Sequence, residues 1–400
     1  MLRLSLLAII IVVVWIEILP YLIPKKTKQI YNDTMLRETA LSRGMAPIPQ
    51  EYDKFLKLLD SKNNPITKEK VALGKELYFD TVLSKDKTRS CSSCHMLGKN
   101  PHNKMQFLED ISHPGTKTDC MVCHIKDESG SDRLSTAIGV DEQTNPNHLN
   151  TPTILNSALA KYRMWDGTVT TSLGVIAPMI HGKYTMNLSS EKAEKRLKNS
   201  RVYTREFKKI FKDGVTFENI AKALDVYQKT LLTRSAYDRF LEGDNSAMSE
   251  EAKKGFSDFI QLGCKGCHTG ITVGGQTIQK FPTRNYNHII DVTGIFSRKY
   301  IGRETAAFDF NFKQYQRFPF ENKGGFLGKN NQQLFRVPIL RNVTKTSPYF
   351  HNGAVFDLRE AVHIMGKYQL SMELTEKQID EIVAFLHSLD GEIVEYKELK

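Results

Sequence analysis

No cysteine of this 400-residue chain is spare: all six lie in three Cys-x-x-Cys-His runs, so no thiol is left over for a disulfide framework. Strand-like alternation is scarce, which argues against a sandwich or barrel and makes an all-α chain the expectation. No lysine and arginine run with interleaved aromatics is present. The net charge of +11 therefore points to an anionic lipid surface or an acidic redox partner, and no nucleic acid is expected. Gly167 to Ser190 contains no aspartate or glutamate. No small-x-small cleavage site follows the apolar N-terminus.

What is present is concentrated in the three runs. Cys91-Ser92-Ser93-Cys94-His95, Cys120-Met121-Val122-Cys123-His124 and Cys264-Lys265-Gly266-Cys267-His268 each hold two thiols and an imidazole at the spacing that attaches a c-type haem. The thiols bond to the vinyl groups and the histidine becomes the proximal iron ligand. Chance would yield about 0.0025 such runs in a chain of this composition. Cys-x-x-Cys pairs also serve as zinc ligands or redox dithiols, but neither role needs a histidine directly after the pair three times over. Three covalent haems are expected, on Cys91, Cys94, Cys120, Cys123, Cys264 and Cys267, with His95, His124 and His268 as axial ligands.

Haem c is attached outside the cytoplasm, so the N-terminus should direct export. Leu4 to Ile23 is a twenty-residue apolar stretch broken mainly by Ser5 and Glu17, long enough to span a hydrocarbon core of roughly 30 Å. An uncleaved single-pass transmembrane helix in residues 1–24 is expected, with a cleaved signal peptide as the alternative. Flanking charge does not decide the orientation, because Arg3 opposes Lys25, Lys26 and Lys28. The haem runs do: the body belongs on the periplasmic side of the cell inner membrane.

Helical patterns dominate the rest. Thr375 caps a helix with Gln378 reaching back, Ile379, Ile382, Val383 and Leu386 share one face, and Gly391 is read as its end. Ser249 precedes Glu250 and Glu251, and the apolar side from Phe256 to Leu262 delivers Cys264 at a helix end. Ile220 to Leu231 marks another helix, with one before it from Leu197 to Phe211. Gly243-Asp244-Asn245-Ser246 is the candidate linker. This divides the chain into an anchor (1–24), a juxtamembrane linker (25–65) with some helix near Tyr52 to Leu59, a first haem domain (66–245), a second (246–392) and a tail (393–400).

Beyond these patterns, the chain resembles the bacterial di-haem cytochrome c peroxidases and their MauG-type relatives. The resemblance is carried by Leu73-Gly74-Lys75-Glu76-Leu77-Tyr78-Phe79-Asp80, Asn150-Thr151-Pro152-Thr153-Ile154-Leu155-Asn156, Trp165-Asp166-Gly167, Gly274-Gly275-Gln276, Arg341-Asn342-Val343, Pro348-Tyr349-Phe350-His351-Asn352-Gly353-Ala354 and Ile364-Met365-Gly366. It implies two cytochrome c-like domains, with the peroxidatic haem on His95 and the electron-transfer haem on His268. Met365 would be the sixth ligand of the latter, a role suited to a thioether because it favours Fe(II). A core methionine is the plainer alternative. Maturation-type relatives carry tyrosine there, so Met365 favours the peroxidase branch. Trp165 would relay electrons between the haems, His351 would tune their coupling, and Asn150, Thr346 and Pro348 would hold Ca2+ between the domains.

Departures from the family pattern fall at the reactive haem. The family's catalytic glutamate corresponds to Tyr184 or Thr185, and the histidine that caps the resting iron corresponds to Val140. His181 is the one imidazole in the carboxylate-free segment, able to serve as the acid/base group or simply to sit on the surface; His148 is a second candidate cap. The second run lies within an insertion, 96–137, where the family has a short loop, and His102 or His113 could complete its iron. The resulting expectation is a multihaem peroxidase that reduces hydrogen peroxide with electrons from quinol or a small cytochrome c, with a second copy of the chain as a candidate partner. An electron-transfer protein without peroxide chemistry and a MauG-like oxidase are the alternatives.

Overall fold

The structure, a computed structural model, describes residues 32–97, 129–283 and 318–400. The apolar segment 4–23, the second haem run (Cys120, Cys123, His124) with His102 and His113, and residues 284–317 lie outside the described residues. Among the described residues no helix is long and apolar enough to cross a membrane.

Twelve α-helices are used below: α1 (Asp33–Ser42), α2 (Tyr52–Leu59), α3 (Lys68–Phe79), α4 (Cys91–Cys94), α5 (Ser172–His181), α6 (Ser190–Lys198), α7 (Arg201–Ile210), α8 (Phe217–Lys229), α9 (Ala236–Leu241), α10 (Glu250–Leu262), α11 (Leu358–Ile364) and α12 (Glu376–Ser388). Four three-residue strands complete the list: β1 (Thr233–Ser235), β2 (Ile278–Lys280), β3 (Leu334–Arg336) and β4 (Gly391–Ile393). They form two antiparallel pairs, β1 with β4 and β2 with β3. The mostly helical expectation is met. Thr375 makes the capping box with Gln378, and Ser249 accepts from the Ala252 N–H. Gly391, by contrast, does not end α12; it belongs to β4, where a side chain would collide with the Arg234 carbonyl. The single helix read from Leu197 to Phe211 is two, because Ser200 caps a fresh start at Arg201.

The two larger apolar cores among the described residues each accompany one haem run, Cys91 bordering the first and Cys264 the second. α3 crosses α8 so closely that a Cβ on Gly74 would lie 2.1 Å from the Ala223 carbonyl oxygen. In the second unit α10 crosses α12, and a Cβ on Gly255 would lie 1.6 Å from the Glu381 oxygen. Only glycine permits either crossing. In the second unit α10 leads straight into Cys264, whereas residues 80–90 separate α3 from Cys91. The same glycine crossing serves both units.

The span read as a juxtamembrane linker holds two helices, α1 and α2: Leu36 and Ala40 of α1 join the second core, whereas Phe55 of α2 joins the first. Tyr237 and Phe240 of α9 also pack in the second core, ahead of the Gly243 turn. Residues 393–400 are not a loose tail, since Tyr396 stacks on Phe55 with centroids 4.3 Å apart. Short segments of this kind carry too little periodicity to assign to a core before packing is known. Where the units meet, Arg341 and Asp238 form a two-pronged ion pair at 2.8 and 2.9 Å, both side chains fully buried. Asp238 also accepts from the Ile48 and Ser235 N–H groups, and Arg341 donates to the carbonyls of Ile271 and Ala46.

Candidate redox site

The third run sits where α10 ends. Gly263, at φ +106°, turns the chain, and Cys264 to Gly266 forms one tight turn before Cys267 and His268. Cys264, Cys267, His268 and Met365 line one cavity, together with Phe259, Val337 to Leu340, Leu358, Ile382 and Leu386. Met365 enters it from the start of a wide helical turn, Met365–Gln369, that follows α11. Burial pushes the His268 imidazole down to about 4, so the ring is neutral at physiological pH and has a lone pair to give. The same burial pushes the Cys264 thiol up to about 12, the neutral state of sulfur that a thioether also has.

One wall of this cavity holds a cation that has no carboxylate partner among the described residues. Arg336 is 5 % exposed, its Nε has no hydrogen-bond partner, and its guanidinium lies 5.4 Å over the Trp165 ring. Burial, with Arg163 nearby adding repulsion, lowers it to about 10, so it remains charged. A buried charge of this kind needs a counter-ion. The propionates of a haem seated on Cys264 and Cys267 would provide one, and the remaining lining is mostly apolar. The residues present therefore fit a c-type haem held by two thiols, His268, Met365 and the Arg336 cation.

Trp165 and His351 line the same cavity and meet edge to face at 6.5 Å. The indole Nε1 donates to the Asn150 carbonyl at 2.8 Å. His351 stacks on Phe335 at 4.7 Å, its Nε2 bonds Asn322 Oδ1, and burial lowers it to about 4. Asn150 takes part as well: its N–H donates to the His351 carbonyl and its Nδ2 to the Leu134 carbonyl, and among the described residues no donor reaches its Oδ1. Thr346 and Pro348 share this wall. Among the described residues no three acid, imidazole or thiol side chains form a metal cluster, so any cation here would depend on amide and carbonyl oxygens.

The first run is one helical turn, α4, closed by a reciprocal Ser90 and Ser93 box. The carbonyls of Gly130 and Pro152 face the His95 ring, with Nδ1 3.2 Å from the Gly130 oxygen. That contact fixes the tautomer and leaves Nε2 to ligate iron. The Tyr78 hydroxyl donates to the His95 carbonyl at 2.5 Å. Burial pushes the Cys91 and Cys94 thiols up to about 12. Sequence reasoning missed Asp132, a carboxyl 1 % exposed that bonds Thr151 and the Leu134 N–H; burial raises it to about 6. No motif marks it, because its burial is created by the fold.

The two positions that depart from the family pattern are neighbours in space. Val140 is fully buried and its N–H donates to the Thr185 carbonyl at 2.9 Å, while a Cβ on Gly139 would lie 2.3 Å from the Tyr184 oxygen. Neither Val140 nor Thr185 offers a carboxylate or imidazole. Asp141 turns outward to Lys85 at 2.6 Å. His181 sits exposed at the end of α5, stacked on Phe217 at 4.9 Å with Nε2 2.9 Å from Ser190 Oγ. His148 packs against the turn at Gly324.

The sequence profile of the di-haem cytochrome c peroxidases matches residues 68–117 and 104–246. The cytochrome c551 peroxidase of Pseudomonas aeruginosa is 31% identical over 353 residues, covering 86% of this chain and 84% of that one. That of Nitrosomonas europaea is 31% identical over 342 residues, covering 83% of each. A crystal structure of a MauG-like protein associated with microbial copper homeostasis superposes with a TM-score of 0.61 at 20% identity, over 88% of this chain and 98% of the other, which establishes a shared fold. On these matches this chain belongs to the di-haem cytochrome c peroxidase family.

Proposed function

We propose that the protein reduces hydrogen peroxide to water with electrons from quinol or a small cytochrome c, carries three haems, and is held by residues 4–23 in the cell inner membrane with its body in the periplasm. When bound, the haems supply the iron that exchanges electrons with peroxide. The chain supplies the geometry. His95 and His268 are presented as neutral imidazoles, Met365 lines the same cavity as His268 and would offer a thioether there, and Arg336 would balance carboxylate charge. The observation that carries the reading is the indole of Trp165, which lines the Met365 cavity and hydrogen-bonds Asn150, two residues before the Pro152 carbonyl that faces His95.

The Val140 and Thr185 contact favours a second reading, electron transfer without peroxide chemistry, because neither position can hold or return a proton. A steady-state peroxide assay with an artificial donor separates the two. Turnover is expected, without prior reduction, since Val140 cannot cap the iron. Cyanide added to the fully oxidised protein should shift the Soret band at once. Binding only after partial reduction would mean that another ligand, His148 or His181, closes the site.

The insertion gives a simpler test. A pyridine haemochrome assay should return three haems per chain, on the strength of the three complete runs. A value of two would leave the Cys120 and Cys123 run unoccupied.

A further inference from the structure

The His95 site has a second aromatic connection, one that leads away from Trp165. We propose that Tyr78, Tyr227 and Tyr203 form an exit for oxidising equivalents from the His95 site toward α7, ending in a Tyr203 radical whose proton is taken by Asp80. The proposal rests on the peroxidase reading for its oxidant, hydrogen peroxide, and goes beyond it in assigning these residues a task.

Tyr78 is fully buried, and its hydroxyl donates directly to the carbonyl of the ligating His95 at 2.5 Å. Its ring meets the Tyr227 ring at 5.1 Å and 64°, and the Phe79 ring at 5.1 Å and 77°. Phe79 and Tyr227 are themselves 6.5 Å apart. Cys91 and Tyr203, the latter from α7, both border the first apolar core to which these rings belong. The Tyr203 hydroxyl donates to Asp80 Oδ2 at 2.6 Å, and Asp80 follows Phe79 in the chain. Aromatic rings therefore run from the haem ligand to Phe79, and the next residue, Asp80, holds the half-buried Tyr203 phenol.

Proton chemistry gives the path a direction. A phenol yields a stable neutral radical only if its proton has somewhere to go. The Tyr78 hydroxyl faces an amide carbonyl, which is not a base, so Tyr78 can conduct but cannot hold the oxidised state. Tyr203 faces a carboxylate. In the proposed step Tyr203 loses one electron, its O–H bond breaks, and an O–H bond forms on Asp80 Oδ2. The electron passes by way of Phe79, Tyr227 and Tyr78 to the His95 site, where it cancels one of the two oxidising equivalents delivered by H2O2. An external one-electron donor, with return of the proton from Asp80, restores the phenol. The relay would spare the haem site when that donor is scarce.

The test uses fully oxidised, haem-loaded protein, frozen within milliseconds of mixing with H2O2 or with an organic peracid and read by electron paramagnetic resonance. A tyrosyl signal is expected, narrowed when ring-deuterated tyrosine is incorporated into the wild type. Tyr203→Phe and Asp80→Asn, each with haem content verified, should lose most of it. A signal from the peracid but none from H2O2 would uphold the relay and overturn the peroxidase reading. An oxidised haem spectrum with no tyrosyl signal, or an undiminished signal in Tyr203→Phe, would overturn the relay.

Discussion

Arg341→Leu should lower the unfolding free energy by about 3–5 kcal/mol, because it leaves the Asp238 carboxylate buried without its counter-charge. The loss should be large for this chain because the pair gathers four segments: Asp238 holds Ile48 and Ser235, while Arg341 holds Ile271 and Ala46. Ile271 lies just beyond His268, so haem seating at the third run should loosen as well. The denaturant midpoint of the haem-loaded protein is the measurement. Arg341→Leu combined with Asp238→Leu should recover part of the loss, since a whole buried pair can be replaced by apolar groups at little cost. If Arg341→Leu alone unfolds at the wild-type midpoint, the pair contributes nothing.

The same pair has a pH signature. Burial pushes Asp238 upward, but the Arg341 guanidinium and its hydrogen bonds outweigh burial and hold the carboxyl below its ordinary value. A depressed carboxyl contributes stability that is present above its unfolded pKa, about 3.9, and is lost as pH falls through the folded value. Acid unfolding should therefore begin below about pH 4 and be blunted in the double variant.

Met365→His should lower the potential of the third-run haem by on the order of 0.2 V, within the ~0.8 V span that axial ligands command, because imidazole stabilises Fe(III) more than sulfur does. Any thioether-to-iron absorption band should vanish with it. The expectation rests on Met365 and His268 lining one cavity. An unchanged spectrum and potential would reduce Met365 to a filler of apolar space.

Much of this site can be read before any coordinates. The attachment runs declare themselves by spacing, and helix caps at Ser249 and Thr375 fall where short-range hydrogen-bond chemistry puts them. What stays hidden is whatever the fold alone creates. Arg336 and Asp132 are ordinary charged residues in the sequence, and only burial makes one a desolvated cation and the other a raised carboxyl. The pairing of Val140 with Thr185 is likewise invisible, because each reads as a local substitution until the backbone joins them. Segment 33–59 fails for a different reason: its two short helices divide between two cores, which no single periodic stripe can announce.

The pairing of β1 with β4 bears on the order in which the molecule can assemble. Thr233 meets Ile393, Val394 donates to the Leu232 carbonyl, and Tyr396 closes over Phe55. The first core is thus completed by residues synthesised after the whole second unit. In a chain that leaves the ribosome from its N-terminus, the His95 unit must wait, unfinished, for a latch nearly the full chain length away. Contacts of such separation slow folding, since loop entropy is lost before they form. The waiting unit would be the one a chaperone holds, and the latch, not the haem runs, would decide when the N-terminal half becomes protease-resistant.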